Sequence, residues 1–245
     1  MNTTPITEDP RRGTLIPLMV DAATNRLRCL DLEVTPHLLV AGPAGRGATS
    51  ALRLTAAEAA RGGMSVAVVT AKPQEWSGLA RVLPGVKVHD MADETEAPFA
   101  IEFFKDGMHA YLEDFLFEGE KANTLMVIDG LTELRDCVIG EGADRQPALE
   151  ALTKVVLLGR AAGFHLAASV RVDQLAQLPR EFVDCSAVLA LGPLGNRARL
   201  ALLGAAPGPS GAPAGLGGGE FADYDGPRPV RTLWMDEGRL TWPEG

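Results

Sequence analysis

The sequence predicts one α/β domain built on a mostly parallel, twisted sheet with helices on both faces. Three observations carry that prediction. Short, almost wholly apolar runs recur along the 245 residues, the pattern of strands covered on both sides. Between them lie alanine- and leucine-rich stretches of helical length, so strands and helices alternate as a parallel sheet requires. Hydrophobic residues make up 46% of the chain, enough to bury one sizeable core without staples.

The elements follow in order. Residues 1–13 are polar and proline-containing and predict a flexible lead, leaving 14–245 as a single domain. "GTLIPLMVDAATNRLRCLDLE" holds two apolar runs around "AATN", a hairpin turning near Asn25. His37 to Ala41 is a short buried strand, and Thr49 to Arg61 a helix that stops at Gly62 and Gly63. Met64 to Lys72 and Val86 to Met91 are further strands. A long amphipathic helix then places Ile101, Phe104, Met108, Tyr111, Leu112 and Phe115 on one face. Thr124 to Asp129 is a strand ending in a carboxylate; "QPALEALTKVVLLGRAAG" is a helix closed by Gly163, and "FHLAASV" the strand after it. Beyond a strand at Val188 to Leu191, residues 204–219 are dense in Gly, Pro and Ala and predict a mobile surface segment. A last pair of strands is expected around Glu237 and Gly238.

Composition narrows the function classes. A formal net charge of -9 argues against coating nucleic acid along the whole surface, because that binding needs phosphates neutralised by Lys and Arg; a local basic strip stays open. Cys29, Cys137 and Cys185 are widely spaced and read as ordinary thiols of a reducing compartment. No run of 18 apolar residues occurs, and Glu8, Asp9, Arg11 and Arg12 interrupt any signal-peptide centre, so a cytoplasmic protein without direct membrane insertion is expected. His37 and His165 begin apolar strands without acidic or cysteine partners at metal spacing and read as packed residues. Trp76, Trp234 and Trp242 are too scattered for a base-stacking platform, and Lys72 reads as an exposed lysine at a strand end.

The chemistry concentrates in "AGPAGRGATSAL". Against G-x-x-x-x-G-K-[ST], the residues Gly42, Pro43, Ala44, Gly45, Arg46, Gly47, Ala48 and Thr49 fit at every position except the lysine, which is Ala48. Such a strand-to-helix turn aims backbone N–H groups and the positive helix end, here up to Ser50, at an anion. The absent lysine would have reached the outer phosphates, and the hydroxyl of Thr49 would ligate magnesium. Asp129, at the end of "LMVID", stands where a second magnesium carboxylate belongs. Gly130 follows it, in place of a glutamate that activates water.

These residues resemble the motor domain of the FtsK/SpoIIIE family of DNA translocases. "IPLMVDAATNRLRCLDLEVTPHLLVAG" looks like that family's approach to its phosphate loop, "GRAAGFHLAASVRVD" like its "GRAAGIHL-LATQRP" segment, and "GEFADYDGPRPVRTLWMD" like its ending. The likeness runs in order from about Leu15 to Asp236. It implies a RecA-like P-loop NTPase fold, ATP with Mg2+ as cofactor, assembly into rings with related motor subunits or copies of itself, and double-stranded DNA as the translocated partner; relatives serve conjugation and type VII secretion. Three side chains depart from the family pattern. Lysine is Ala48, the catalytic glutamate is Gly130, and the phosphate-sensing glutamine is Val170, while Ser169 and Arg171 keep their places.

Losing a charge-assisted hydrogen bond costs about 1.5–3 kcal/mol, a loss that binding could survive, with weak or absent binding left open. Losing general-base assistance costs about 10²–10⁴ in rate, with transition-state charge stabilisation lost as well. The expectation is therefore a nucleotide-binding domain deficient in hydrolysis, a pseudo-ATPase acting within a translocation or transfer assembly. An active translocase using Arg46 and Glu133, or residues from neighbouring subunits, as substitutes is the second reading, and a scaffold module with an empty loop the third. Arg160 and Arg171 are candidates for a phosphate-stabilising arginine; for Arg160, a favourable interaction with its own helix end is the alternative.

Overall fold

The computed structural model describes residues 14–118, 121–204, 212–213, 215–223, 226–236 and 239–241. The expected lead at 1–13 lies outside them. The chain opens with a hairpin of β1 (Leu15–Asp21) and β2 (Leu27–Asp31). Asn25 takes the left-handed conformation in its turn, and the Asp21 carboxylate accepts the N–H groups of Ala23 and Thr24. Then come β3 (His37–Gly42), α1 (Ala48–Arg61), β4 (Ser65–Thr70), α2 (Pro73–Val82), β5 (Val86–Asp90), α3 (Glu96–Glu118) and β6 (Thr124–Asp129). A 3-10 turn at Leu131–Asp136 leads to a small ribbon of β7 (Val138–Ile139) and β8 (Gln146–Pro147). The rest is α4 (Ala148–Ala162), β9 (Phe164–Arg171), α5 (Glu181–Asp184), β10 (Ser186–Leu191), α6 (Asn196–Leu203), β11 (Gly218–Asp223), β12 (Gly226–Thr232), and a ribbon of β13 (Trp234–Asp236) with β14 (Arg239–Thr241).

Ten strands form one sheet in the order β2-β1-β12-β11-β10-β3-β9-β6-β4-β5. From β10 to β5 all neighbours run parallel; from β10 to β2 all run antiparallel. The parallel strands are apolar throughout because both their faces are covered. In β3, Leu38 and Val40 face the core that holds α1 and α2, while Leu39 and Ala41 face the one that holds α3 and α4. β6 repeats the division with Leu125 and Val127 against Met126 and Ile128. Among the described residues no helix is long and apolar enough to cross a membrane.

Several expectations need correction. The Gly/Pro-rich stretch 204–219 does not stay a loop to its end: Gly218 and Gly219 belong to β11, in the middle of the sheet, and Glu220 beyond them is buried. Close approach demands glycine there, since a Cβ on Gly219 would sit 2.5 Å from the Ala190 carbonyl oxygen. Glu220 receives two 2.9 Å hydrogen bonds from the Arg199 guanidinium of α6. Residues 205–211 and 214 lie outside the described residues. Tyr111 is at the margin of its helix's buried face, 41% exposed, with its ring edge against Phe164; the side chain of Phe115 is not among those described. The expected closing pair is divided, for Pro229 to Thr232 join the main sheet through β12 and only β13 and β14 form the terminal ribbon; Glu237, Gly238 and Trp242 lie outside the described residues.

Candidate functional site

The carboxyl ends of β3, β4, β6 and β9 converge on an open cavity of about 460 Å³, within the range of roughly 300–1,000 Å³ typical of ligand pockets. Every residue from Pro43 to Ser50 lines it except Arg46. Gly42 ends β3 below the loop. Gly45 and Gly47 both hold positive φ, 76° and 99°, which lets the backbone wrap and deliver the chain into α1 without a side chain intruding. Gly47 caps α1 with no side-chain hydrogen bond, so the first-turn N–H groups of the helix meet the cavity at its positive end. The loop is open rather than collapsed, and Ala48 is half-buried, its methyl packed toward the core around α1.

Asp129 is the hub of the site. It accepts hydrogen bonds from the hydroxyl of Thr49 at 3.1 Å and of Ser169 at 3.2 Å on one oxygen, and from the indole Nε1–H of Trp76 at 3.2 Å on the other. Ser169 in turn accepts the N–H of Gly130 at 2.9 Å. These bonds join β3's loop, β6, β9 and α2 into one rigid floor. The geometry suits a magnesium ion: Thr49 gives its proton to Asp129, which leaves the hydroxyl's two lone pairs for a hard cation, and a carboxylate with about four acceptor sites keeps room for a metal-bound water. Among the described residues there is no group of three or more His, Cys, Asp or Glu suited to a metal by itself, so any ion here would take further oxygens from phosphates and water.

The remaining candidates are distributed unequally. Arg46 is half-buried and turns away from the cavity, its aliphatic stem and Nε lying over Gly192. Glu133 lines the cavity and folds back over Gly130: a Cβ on Gly130 would meet Glu133 Oε2 at 2.7 Å. The carboxylate therefore fills the space that a side chain at 130 would take. Thr132 Oγ1 lies 2.7 Å from Gln174 Oε1, to which it donates, and 3.2 Å from Glu133 Oε2. Arg171 also lines the cavity, but Asp173 holds its guanidinium through two hydrogen bonds of 3.1 and 2.6 Å, which raises its already high pKa and lowers that of Asp173. Val170 lies beside it. Arg160 is exposed in the last turn of α4, which feeds the amino end of β9, the opposite edge of the sheet from this chain's cavity.

One contributor was passed over in the sequence. Trp76 carries no motif; its signal was only an indole in the first turn after a strand end, and it is fully buried against Asp129. Lys72 is exposed, as expected of it, and also lines the cavity.

A glycine turn opens a helix, a hydroxyl bonds a strand-end carboxylate, and a cavity lies at the carboxyl edge of a parallel sheet; the fold is the RecA-like fold of P-loop ATPase domains. Its solved likenesses are specific. The cytoplasmic domain of the type VII secretion ATPase EccC from Thermomonospora curvata superposes with a TM-score of 0.71 at 19% identity, covering 91% of this chain and 26% of that one. EssC ATPases 2 and 3 from Geobacillus thermodenitrificans give 0.69 at 12%, covering 90% and 44%. The pCW3 conjugation coupling protein TcpA, in a monomer form with ATPγS, gives 0.71 at 19%, covering 97% and 70%. The chain thus spans about a quarter of the EccC chain and less than half of the EssC one. No protein-family model and no curated protein matches the sequence.

Proposed function

We propose that this chain is a nucleotide-binding domain of the FtsK/SpoIIIE type, which holds ATP with Mg2+ in the cavity above Gly45 and hydrolyses it poorly. The observation that carries this reading is the Thr49–Asp129 hydrogen bond beside an open glycine loop, a pairing with a use in magnesium and phosphate binding that a mere tight turn does not need. The loop amides and the α1 terminus would hold the phosphates, Thr49 and Asp129 the ion, and the ion would neutralise phosphate charge. Weak hydrolysis follows from Ala48, Gly130 and Val170 together, since each position lacks a group that would act on the reacting phosphate, the lysine missing at 48 serving the bound phosphates as well. A domain of this kind acts through its assembly: cytoplasmic, beside related motor subunits or in a ring of copies, with double-stranded DNA as the partner the resemblance implies. In a ring, Arg160 would face a neighbour's site instead of its own.

Calorimetric titration with MgATP tests the binding step, and a steady-state assay at high protein concentration, with and without duplex DNA, tests the rest. Binding heat with turnover below about one per second is expected; faster turnover would refute the deficiency. Absence of any heat would leave the scaffold reading in its place.

One observation favours the active alternative, namely the Glu133 carboxylate filling the space over Gly130. If Glu133 serves as general base, Glu133→Gln lowers turnover by about 10²–10⁴ while leaving ATP affinity unchanged. Arg46→Ala should leave both alone, because Arg46 points away from the cavity.

A further inference from the structure

The cavity has lost its loop lysine, yet a bound triphosphate still needs positive charge near its outer end. Among the described residues the cavity is lined by two cations, Lys72 and Arg171, and by two carboxylates, Asp129 and Glu133. Arg171 is engaged by both oxygens of Asp173. Lys72 is differently placed. It follows β4, whose last residue Thr70 pairs in register with Asp129, so it leaves the sheet directly beside the metal carboxylate. Its position is fixed on both sides: its own N–H donates to Thr70 Oγ1 at 3.1 Å, Pro73 starts α2, and Trp76 pins that helix's first turn to Asp129. Its ammonium is not fixed. It is 68% exposed, with Glu75 of the same turn 3.4 Å away, an exposed partner that competes weakly.

We propose that Lys72 supplies from β4 the ammonium that the glycine loop lacks at Ala48, contacting the outer phosphates of a bound nucleoside triphosphate. The backbone around Lys72 is anchored while its long stem stays free to turn from Glu75 toward the cavity, and a flexible point charge suits a phosphate group approached from the side. This assignment rests on the nucleotide-binding reading of the same cavity. It moves the substitute cation from Arg46, which the fold directs elsewhere, to a residue 26 positions from it in sequence and three strands away from the loop's own strand.

The test is titration of the full chain with MgATP and MgADP, comparing the wild type with Lys72→Ala, Lys72→Arg, Ala48→Lys and the double variant Lys72→Ala/Ala48→Lys. Lys72→Ala should weaken ATP about ten- to a hundredfold, the loss expected for one charge-assisted hydrogen bond, and weaken ADP less. Lys72→Arg should keep most of the affinity, and Ala48→Lys should restore the double variant, a rescue that a purely structural role for Lys72 would not give. If the wild type binds ATP and Lys72→Ala binds it equally well, or if Ala48→Lys fails to rescue, the assignment falls and the nucleotide reading stands. If the wild type binds no ATP, the reading itself fails and the assignment with it. Circular dichroism of each variant checks folding, which an exposed side chain should leave intact.

Discussion

Asp129 shows how a single side chain can be legible in part. A carboxylate closing an apolar run after a glycine loop marks a candidate metal ligand, and the register of β3, β9 and β6 brings it within hydrogen-bond reach of Thr49. Its third donor was not legible, because Trp76 lies 53 residues upstream and no spacing rule couples an indole to a carboxylate. The cost of losing that donor is open to measurement. Trp76→Phe keeps the ring in the core but removes a hydrogen bond to a charged acceptor, and should lower stability by about 1.5–3 kcal/mol in urea unfolding at an unchanged slope. Trp76 also reports on the site: its emission should shift when MgATP occupies the cavity, and Trp76→Phe should abolish that shift. An unchanged emission with binding heat still present would separate the indole from the metal position.

At the scale of elements, helices with a strong signal were readable and those without one were not. α1 and α4 carry long apolar stripes and glycine stops, whereas α2 buries only Trp76 and Leu79 and includes an exposed Gly78, so its period is too thin to stand out. β11 was hidden for the opposite reason, since the glycines that let it pack against β10 look like loop composition. Two glycine substitutions separate propensity from fit. Gly163 ends α4 at φ 75°, where a Cβ would lie 1.8 Å from the Ala122 carbonyl oxygen. Gly163→Ala should therefore destabilise by more than the roughly 1–2 kcal/mol of the left-handed conformation alone, because the backbone before β6 must move as well. Gly78 has nothing within 4 Å of its Cβ position and a helical backbone, so Gly78→Ala should stabilise by about 0.5–1 kcal/mol. Chemical unfolding midpoints of the two variants should move in opposite directions.

For the molecule as a whole, alternation of strands and helices was enough to predict the parallel half of the sheet, because burial on both faces writes itself into uninterrupted apolar runs. The antiparallel half, which joins the first hairpin to the last long strands, depends on pairing between residues some 200 positions apart, such as Met19 with Thr232, and local pattern carries no trace of that. The two halves meet at β10; next to it lie β3 and then β9, at whose amino ends two histidines are buried, on the edge of the sheet away from the cavity. His37 accepts the N–H of Leu166 on Nδ1, and His165 Nδ1 bonds the Pro36 carbonyl oxygen at 2.9 Å. Burial, reinforced by the neighbouring His165, pushes the His37 pKa from 6.5 down to about 3; burial lowers that of His165 too, partly offset by the Pro36 bond and Glu33. An unfolded chain takes up protons below pH 6.5 that the folded chain refuses, so the stability these groups contribute is complete above 6.5 and is lost as pH falls toward 3. The slope should reach at most about 1.4 kcal/mol per pH unit for each histidine. Between about pH 6.5 and 5 the ordinary carboxylates stay ionised, so the loss there belongs to the histidines. His37→Leu should flatten that part of the curve even though it lowers stability overall by leaving the Leu166 N–H unpaired, and a wild-type midpoint constant from pH 6.5 to 5 would show that the sheet admits protons at this edge without opening.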